Sequence, residues 1–204
     1  MIENRGLIFN DIINLSKYII NNNAYKNNYY IIWKNKIKIL NKYYNDYYCF
    51  DNYDFNYFYE LSNIALKMIK NINFNNLTYG LSFNRFYKVN LLYDLYNKNN
   101  YKIGPIVNSI TEYIKYSFFY NDREENIFLI DNLDLSREDY IYLVSRLIFP
   151  TYYFDILNNN DIDDKHNMIM FKINKYFNYI KSIIMEIKKR HIDMPFIDSI
   201  INLF

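Results

Sequence analysis

Asp54-Phe-Asn-Tyr-Phe-Tyr-Glu-Leu-Ser-Asn-Ile-Ala-Leu-Lys-Met-Ile-Lys-Asn-Ile72 carries the clearest structural signal in the chain. Phe55, Phe58, Leu61, Ala65, Met68 and Ile72 step by three or four residues, so a helix of 3.6 residues per turn gathers them on one face. Asp54 is placed to cap it. The same period runs outward in both directions. Toward the N-terminus it predicts helices near Leu7–Asn22 and Tyr29–Tyr44. In the second of these Ile32, Ile39 and Leu40 are apolar, and Lys34, Lys38 and Lys42 recur four apart on another face.

Beyond Ile72 the helical period stops. Residues 73–105 hold Gly80, Gly104 and Pro105, with short alternating pieces at Leu77–Phe86 and Val89–Tyr96, and read as strands, hairpin turns and loop. Helical spacing returns at Ile106, Ile110, Tyr113, Ile114 and Phe118, where Ser109-Ile-Thr-Glu112 has capping-box spacing. A second such spacing, Ser136-Arg-Glu-Asp139, opens a helix through Tyr140, Leu143, Val144 and Leu147 that Pro150 limits. The longest helix is expected over Lys165–His191, striped by Ile169, Ile173, Phe177, Ile180, Ile184 and Ile187 and closed by Lys188, Lys189 and Arg190. A last short helix starts at Pro195. The expectation is one mainly α domain over residues 1–204, with a small β-hairpin region at about 73–105.

Composition narrows the function classes. The chain has 204 residues, 51% of them hydrophobic, so its bulk is expected to fold. Its 24 basic and 22 acidic residues nearly cancel, which excludes a broad basic field for nucleic acid. There are 34 Asn, 33 Ile and 25 Tyr, but two Ala (Ala24 and Ala65), the signature of an AT-rich genome. Aromatic stripes are therefore weak evidence for base stacking here. One cysteine, Cys49, excludes an internal disulfide framework and a multi-cysteine zinc site. No signal peptide and no apolar run long enough to span a bilayer is seen, so the expected place is the cytoplasm, with no membrane partner.

Each local candidate for chemistry has a simpler structural reading. His166 and His191 stand at opposite ends of one expected helix, too far apart to share an ion. Asp161, Asp163 and Asp164 suit the N-cap and first turn of that helix better than a metal site. Cys49, in Tyr47-Tyr-Cys-Phe50, lacks a neighbouring histidine and a glycine elbow. Three glycines, Gly6, Gly80 and Gly104, cannot make a phosphate-cradling loop. The run Trp33-Lys-Asn-Lys-Ile-Lys38, with Lys42, pairs cations with aromatics, but a solvated helix face explains the same lysines.

Three blocks in order carry a family resemblance. They are Trp33-Lys-x-Lys-Ile with Phe58-Tyr-Glu-Leu-Ser-Asn-Ile-Ala-Leu66; Ile110-Thr-Glu-Tyr-Ile-Lys115; and Ser145-Arg-Leu-Ile-Phe-Pro-Thr-Tyr-Tyr-Phe-Asp155. The third is the most specific. Together they resemble the large lobe of bacterial spore-coat-associated kinase-like proteins, which are similar to aminoglycoside phosphotransferases and choline kinases. The resemblance covers roughly Trp33–Leu157 and implies the helical large lobe of a protein-kinase-like fold, with the ATP-clamping small lobe expected to be absent from this chain.

The resemblance also implies two acids, a catalytic Asp near Ser82-Phe-Asn-Arg-Phe86 and a magnesium-binding Asp near Ile103-Gly-Pro-Ile106. Neither stretch has one. Residues 73–109 hold a single carboxylate, Asp94, and one group cannot fill both roles. The expected function is thus a non-catalytic, pseudokinase-like module that binds a protein partner in spore-coat assembly or a cytoplasmic scaffold, with no cofactor, no metal and no catalytic residue. One alternative is a small-molecule phosphotransferase that uses Asp94 with a separately supplied ATP-binding lobe. Another is an unrelated all-α binding protein that touches nucleic acid through Lys34, Lys36, Lys38 and Lys42.

Overall fold

The structure, a computed structural model, describes residues 14, 29–46, 52–83, 101–118, 123–132, 134–151, 153–154, 166–189 and 193–203. Helix dominates. In chain order the elements are α1 (Tyr29–Asp46), α2 (Asn52–Lys70), a 3-10 turn (Phe74–Asn76), β1 (Tyr79–Phe83), β2 (Tyr101–Pro105), α3 (Val107–Ser117), α4 (Arg123–Asp131), α5 (Arg137–Ile148), α6 (His166–Lys189) and α7 (Ile197–Leu203). The contacts group them into two compact units, one built on Asn73–Leu143 and the other on Asn27–Ile72 with Val144–Phe204.

In the second unit α1 packs on α2, and α7 packs on both α2 and α6. The stripe that opened the sequence reading is buried throughout: Phe55, Phe58, Leu61, Ala65, Met68 and Ile72 all lie in the core. The helix begins at Asn52, so Asp54 falls within the first turn and is not the cap. On α6, Ile173, Phe177, Ile180, Ile184 and Ile187 are buried as their spacing requires. The cations that end α6 do more than face its dipole. Lys188 pairs with Asp198 of α7, and Lys189 with Glu186 at 2.7 Å. α7 starts at Ile197, after a turn in which Phe196 takes a φ of 66°, the left-handed region that costs a side chain with a Cβ roughly 1–2 kcal/mol.

The face of α1 differs from the expectation. Trp33, Ile37 and Leu40 are buried, while Ile32 and Ile39 are exposed. Steps of four and three put Trp33, Ile37 and Leu40 on one line. Apolar side chains surround this helix, so spacing alone does not choose the inner set. Trp33 stacks on Phe149 at 4.2 Å between ring centroids, nearly parallel, and Phe149 stacks in turn on Phe154 at 5.2 Å. Trp33 is the chain's only tryptophan, so its emission reads this contact directly. Native Trp33 fluorescence is expected to resist acrylamide and to become quenchable on unfolding. Full quenching in the native protein would contradict the stack.

In the first unit β1 and β2 pair antiparallel, Tyr79 opposite Pro105, Ser82 opposite Lys102 and Phe83 opposite Tyr101. The segment Tyr101–Pro105, within the region read as strands, hairpin turns and loop but outside its two alternating pieces, is thus a strand. Pro105 is tolerated because it sits at the strand's end. The strand expected at Val89–Tyr96 lies outside the described residues. Gly80 faces Gly104, which leaves no side chain at that step of the ladder, and α3 packs against β1. The Ile106 amide donates to the Thr78 carbonyl at 3.0 Å and closes the end of the pair.

α3 begins at Val107, so Ser109 lies inside the helix and Ser109-x-x-Glu112 is not a cap. Buried hydroxyls in this unit donate to carbonyls of the preceding turn: Thr111 to Val107 at 2.8 Å and Ser117 to Ile114 at 3.0 Å. α4, with one side chain of Asn126 donating to the Ser117 hydroxyl at 2.6 Å, has too weak an apolar period to be read from sequence. Among the described residues no helix is long and apolar enough to cross a membrane.

Candidate functional site

The one buried carboxylate among the described residues belongs to Asp139, at the start of α5. Local sequence builds half of its surroundings. Ser136 caps α5, its Oγ accepting from the Asp139 amide at 3.1 Å, while an Asp139 oxygen accepts from the Ser136 amide at 3.0 Å. This is the reciprocal box that the Ser136-x-x-Asp139 spacing predicts, with Asp in the place where Glu is commoner.

The other half comes from Thr78, just before β1 and 61 residues away in the chain. The Thr78 amide donates to Asp139 Oδ1 at 3.0 Å, and the Thr78 hydroxyl donates to Oδ2 at 2.7 Å. The Ser136 hydroxyl lies 2.9 Å from Asp139 Oδ2 and 3.1 Å from the Asn76 carbonyl. Asn76 also reaches Glu138, and Tyr79 donates to the Phe74 carbonyl at 2.8 Å. The 3-10 turn and the residue before β1 therefore meet the N-terminal box of α5, Asn76 through Ser136 and Thr78 through Asp139.

Burial lifts the Asp139 carboxyl above the ordinary carboxylate range, and the donations from Thr78 and Ser136 pull it partly back. With both oxygens accepting from protein donors and the side chain buried, the group holds structure together.

The residues singled out from sequence are placed differently. Ser82, at the head of the stretch expected to hold a catalytic Asp, lies in β1, and its hydroxyl donates to the Lys102 carbonyl at 3.3 Å. Ile103-Gly-Pro-Ile106, expected for the magnesium-binding Asp, supplies most of β2. The strand register sets Ile103 opposite Leu81, Gly104 opposite Gly80 and Pro105 opposite Tyr79, so Ile103–Pro105 lies beside the residues that precede Ser82. Asp94, Cys49, His191 and Asp161, Asp163 and Asp164 lie outside the described residues, and His166 opens α6. Among the described residues no group of three or more His, Cys, Asp or Glu gathers as metal ligands would.

The basic run on α1 is divided by the fold. Trp33 is in the core, and Lys36 is half-buried with its ammonium 5.9 Å from the centre of the Phe154 ring. Lys34, Lys38 and Lys42 are exposed. Trp33 is thereby withdrawn from the lysine row, where the half-exposed Tyr30 ring lies with its centre 6.0 Å from the Lys34 ammonium. Comparison with family models, with curated proteins and with solved structures gives no match.

Proposed function

We propose that this protein is a non-catalytic, kinase-like helical module that acts by binding a protein partner, in spore-coat assembly or a related cytoplasmic scaffold. The reading rests on the three sequence blocks and on what their positions do. Trp33, Ile37, Phe58, Leu61, Ala65, Ile110, Ile114, Leu147, Ile148, Phe149, Tyr153 and Phe154 are all core residues. The observation that supports it most is the lack of acids where an active relative would carry two: Ser82–Phe86 and Ile103–Ile106 hold none, and the one buried carboxylate among the described residues, Asp139, is engaged by Thr78 and Ser136. Phosphoryl transfer needs acids that hold magnesium and orient the acceptor, and Asp94 alone is one too few.

Thermal unfolding with and without Mg-ATP tests the proposal. A ligand at about 100 times its dissociation constant adds roughly 2.7 kcal/mol, or about 5–10 °C for a chain of this size. No shift at millimolar Mg-ATP is expected, and no phosphoryl transfer to small alcohols or amines. A magnesium-dependent shift accompanied by turnover that Asp94→Asn abolishes would overturn it in favour of a phosphotransferase.

A further inference from the structure

The outward face of α1 is used by nothing described so far. Ile31, Ile32 and Ile39 are 58%, 46% and 47% exposed, a large exposure for aliphatic side chains on a helix whose inner face is already filled. Ile32 and Ile39 are seven residues, two turns, apart and so lie on one line. Lys34, Lys38 and Lys42, spaced four apart, form an exposed row beside them, and the only acid of the helix is its last residue, Asp46. The face thus combines a short aliphatic strip with uncompensated positive charge.

From this juxtaposition we infer that α1 lies on anionic membrane surfaces, its isoleucines entering the headgroup boundary and its lysines meeting lipid phosphates and carboxylates. Nucleic acid fits worse, because Trp33 is in the core and the most exposed apolar side chains of this face, Ile31, Ile32 and Ile39, are aliphatic. A protein groove fits worse as well. The strip from Ile31 to Ile39 is about 12 Å long at 1.5 Å per residue and, across a helix about 10 Å wide, offers roughly 120 Å², far short of the roughly 800 Å² that each side of a stable interface contributes. A bilayer demands no matching pocket: apolar depth and lysine attraction add over a flat, adaptable surface. The absence of a spanning segment in the sequence, which led to the expectation of no membrane partner, does not bear on surface attachment.

Co-sedimentation of the full chain with phosphatidylcholine vesicles, with and without phosphatidylserine, tests the inference. Binding is expected to the mixed vesicles alone and to fall as salt is raised. The exposed substitutions Lys34→Gln, Lys38→Gln and Lys42→Gln are expected to weaken partitioning about fivefold each. The triple variant Ile31→Ser, Ile32→Ser and Ile39→Ser is expected to abolish it while native Trp33 emission persists. No binding to the mixed vesicles overturns the inference, as does equal binding to neutral ones. Undiminished binding by either set of variants also overturns it. So does uptake of duplex DNA or an acidic peptide by a protein that ignores the vesicles.

Discussion

Phe58→Ala is expected to cost about 3–5 kcal/mol of folding free energy, lowering the unfolding midpoint by roughly 10 °C. Phe58 is fully buried, and its ring is a junction of the second unit. It stacks on Tyr153 at 4.2 Å, lies tilted against Phe177 at 5.6 Å and meets Tyr57 edge-on at 4.9 Å. Removing the ring opens a cavity between α2, α6 and the turn that follows Pro150, and close-packed aromatic neighbours have little freedom to refill it. Phe58→Leu returns most of the volume and is expected to lose less than half as much. Urea unfolding of the two variants checks the order. A Phe58→Ala loss below about 1 kcal/mol would mean that this junction is not formed in solution.

Asp139→Ala is expected to be nearly as damaging, at about 3 kcal/mol, and for a different reason. It strips the acceptor from the Thr78 amide and hydroxyl and removes half of the Ser136 capping box, leaving part-buried donors without this partner. Asp139→Asn keeps the shape but turns an NH2 toward groups that are themselves donors, so it recovers only part of the loss. The pH dependence follows from the direction of the shift. Burial raises the folded-state pKa, so the folded chain holds this proton more tightly than the unfolded one. The stability from that preference is fully present below the ordinary carboxylate value and is lost as pH rises through the folded value. Asp139→Asn is expected to flatten that segment of the stability–pH curve. An unchanged slope in the variant would assign the titration to another group.

The helical frame was open to reading because its signals are local. The stripe from Phe55 to Ile72 and the stripe on α6 each repeat with the turn of the helix, and burial follows the repeat. Ser136 and Asp139 sit three residues apart, so the box is visible in the chain itself. The strand partner was not legible. β2 pairs Lys102 with Ser82, 20 residues earlier, and a five-residue piece ending in Gly-Pro has no alternation to announce it. Ser109-Ile-Thr-Glu112 shows the opposite error: the spacing of a cap recurs inside α3, where the helix had already begun.

The candidate site divides along the same line. Sequence spacing placed Asp139 at the head of a helix, but nothing near it foretold Thr78, 61 residues away. On α1, apolar residues on several sides give no single inner face, so the fold alone set Trp33 against Phe149 and left Ile31, Ile32 and Ile39 outside.

By itself, then, the sequence determined where the strongly periodic helices α2, α5 and α6 form and where α5 is capped, because hydrogen bonding and side-chain period within a helix act over three or four residues. Only the tertiary structure decided which strand completes the pair, which face of α1 is inside and which distant donors meet Asp139. Those contacts join residues far apart in the chain, and their energy depends on packing that no local spacing encodes.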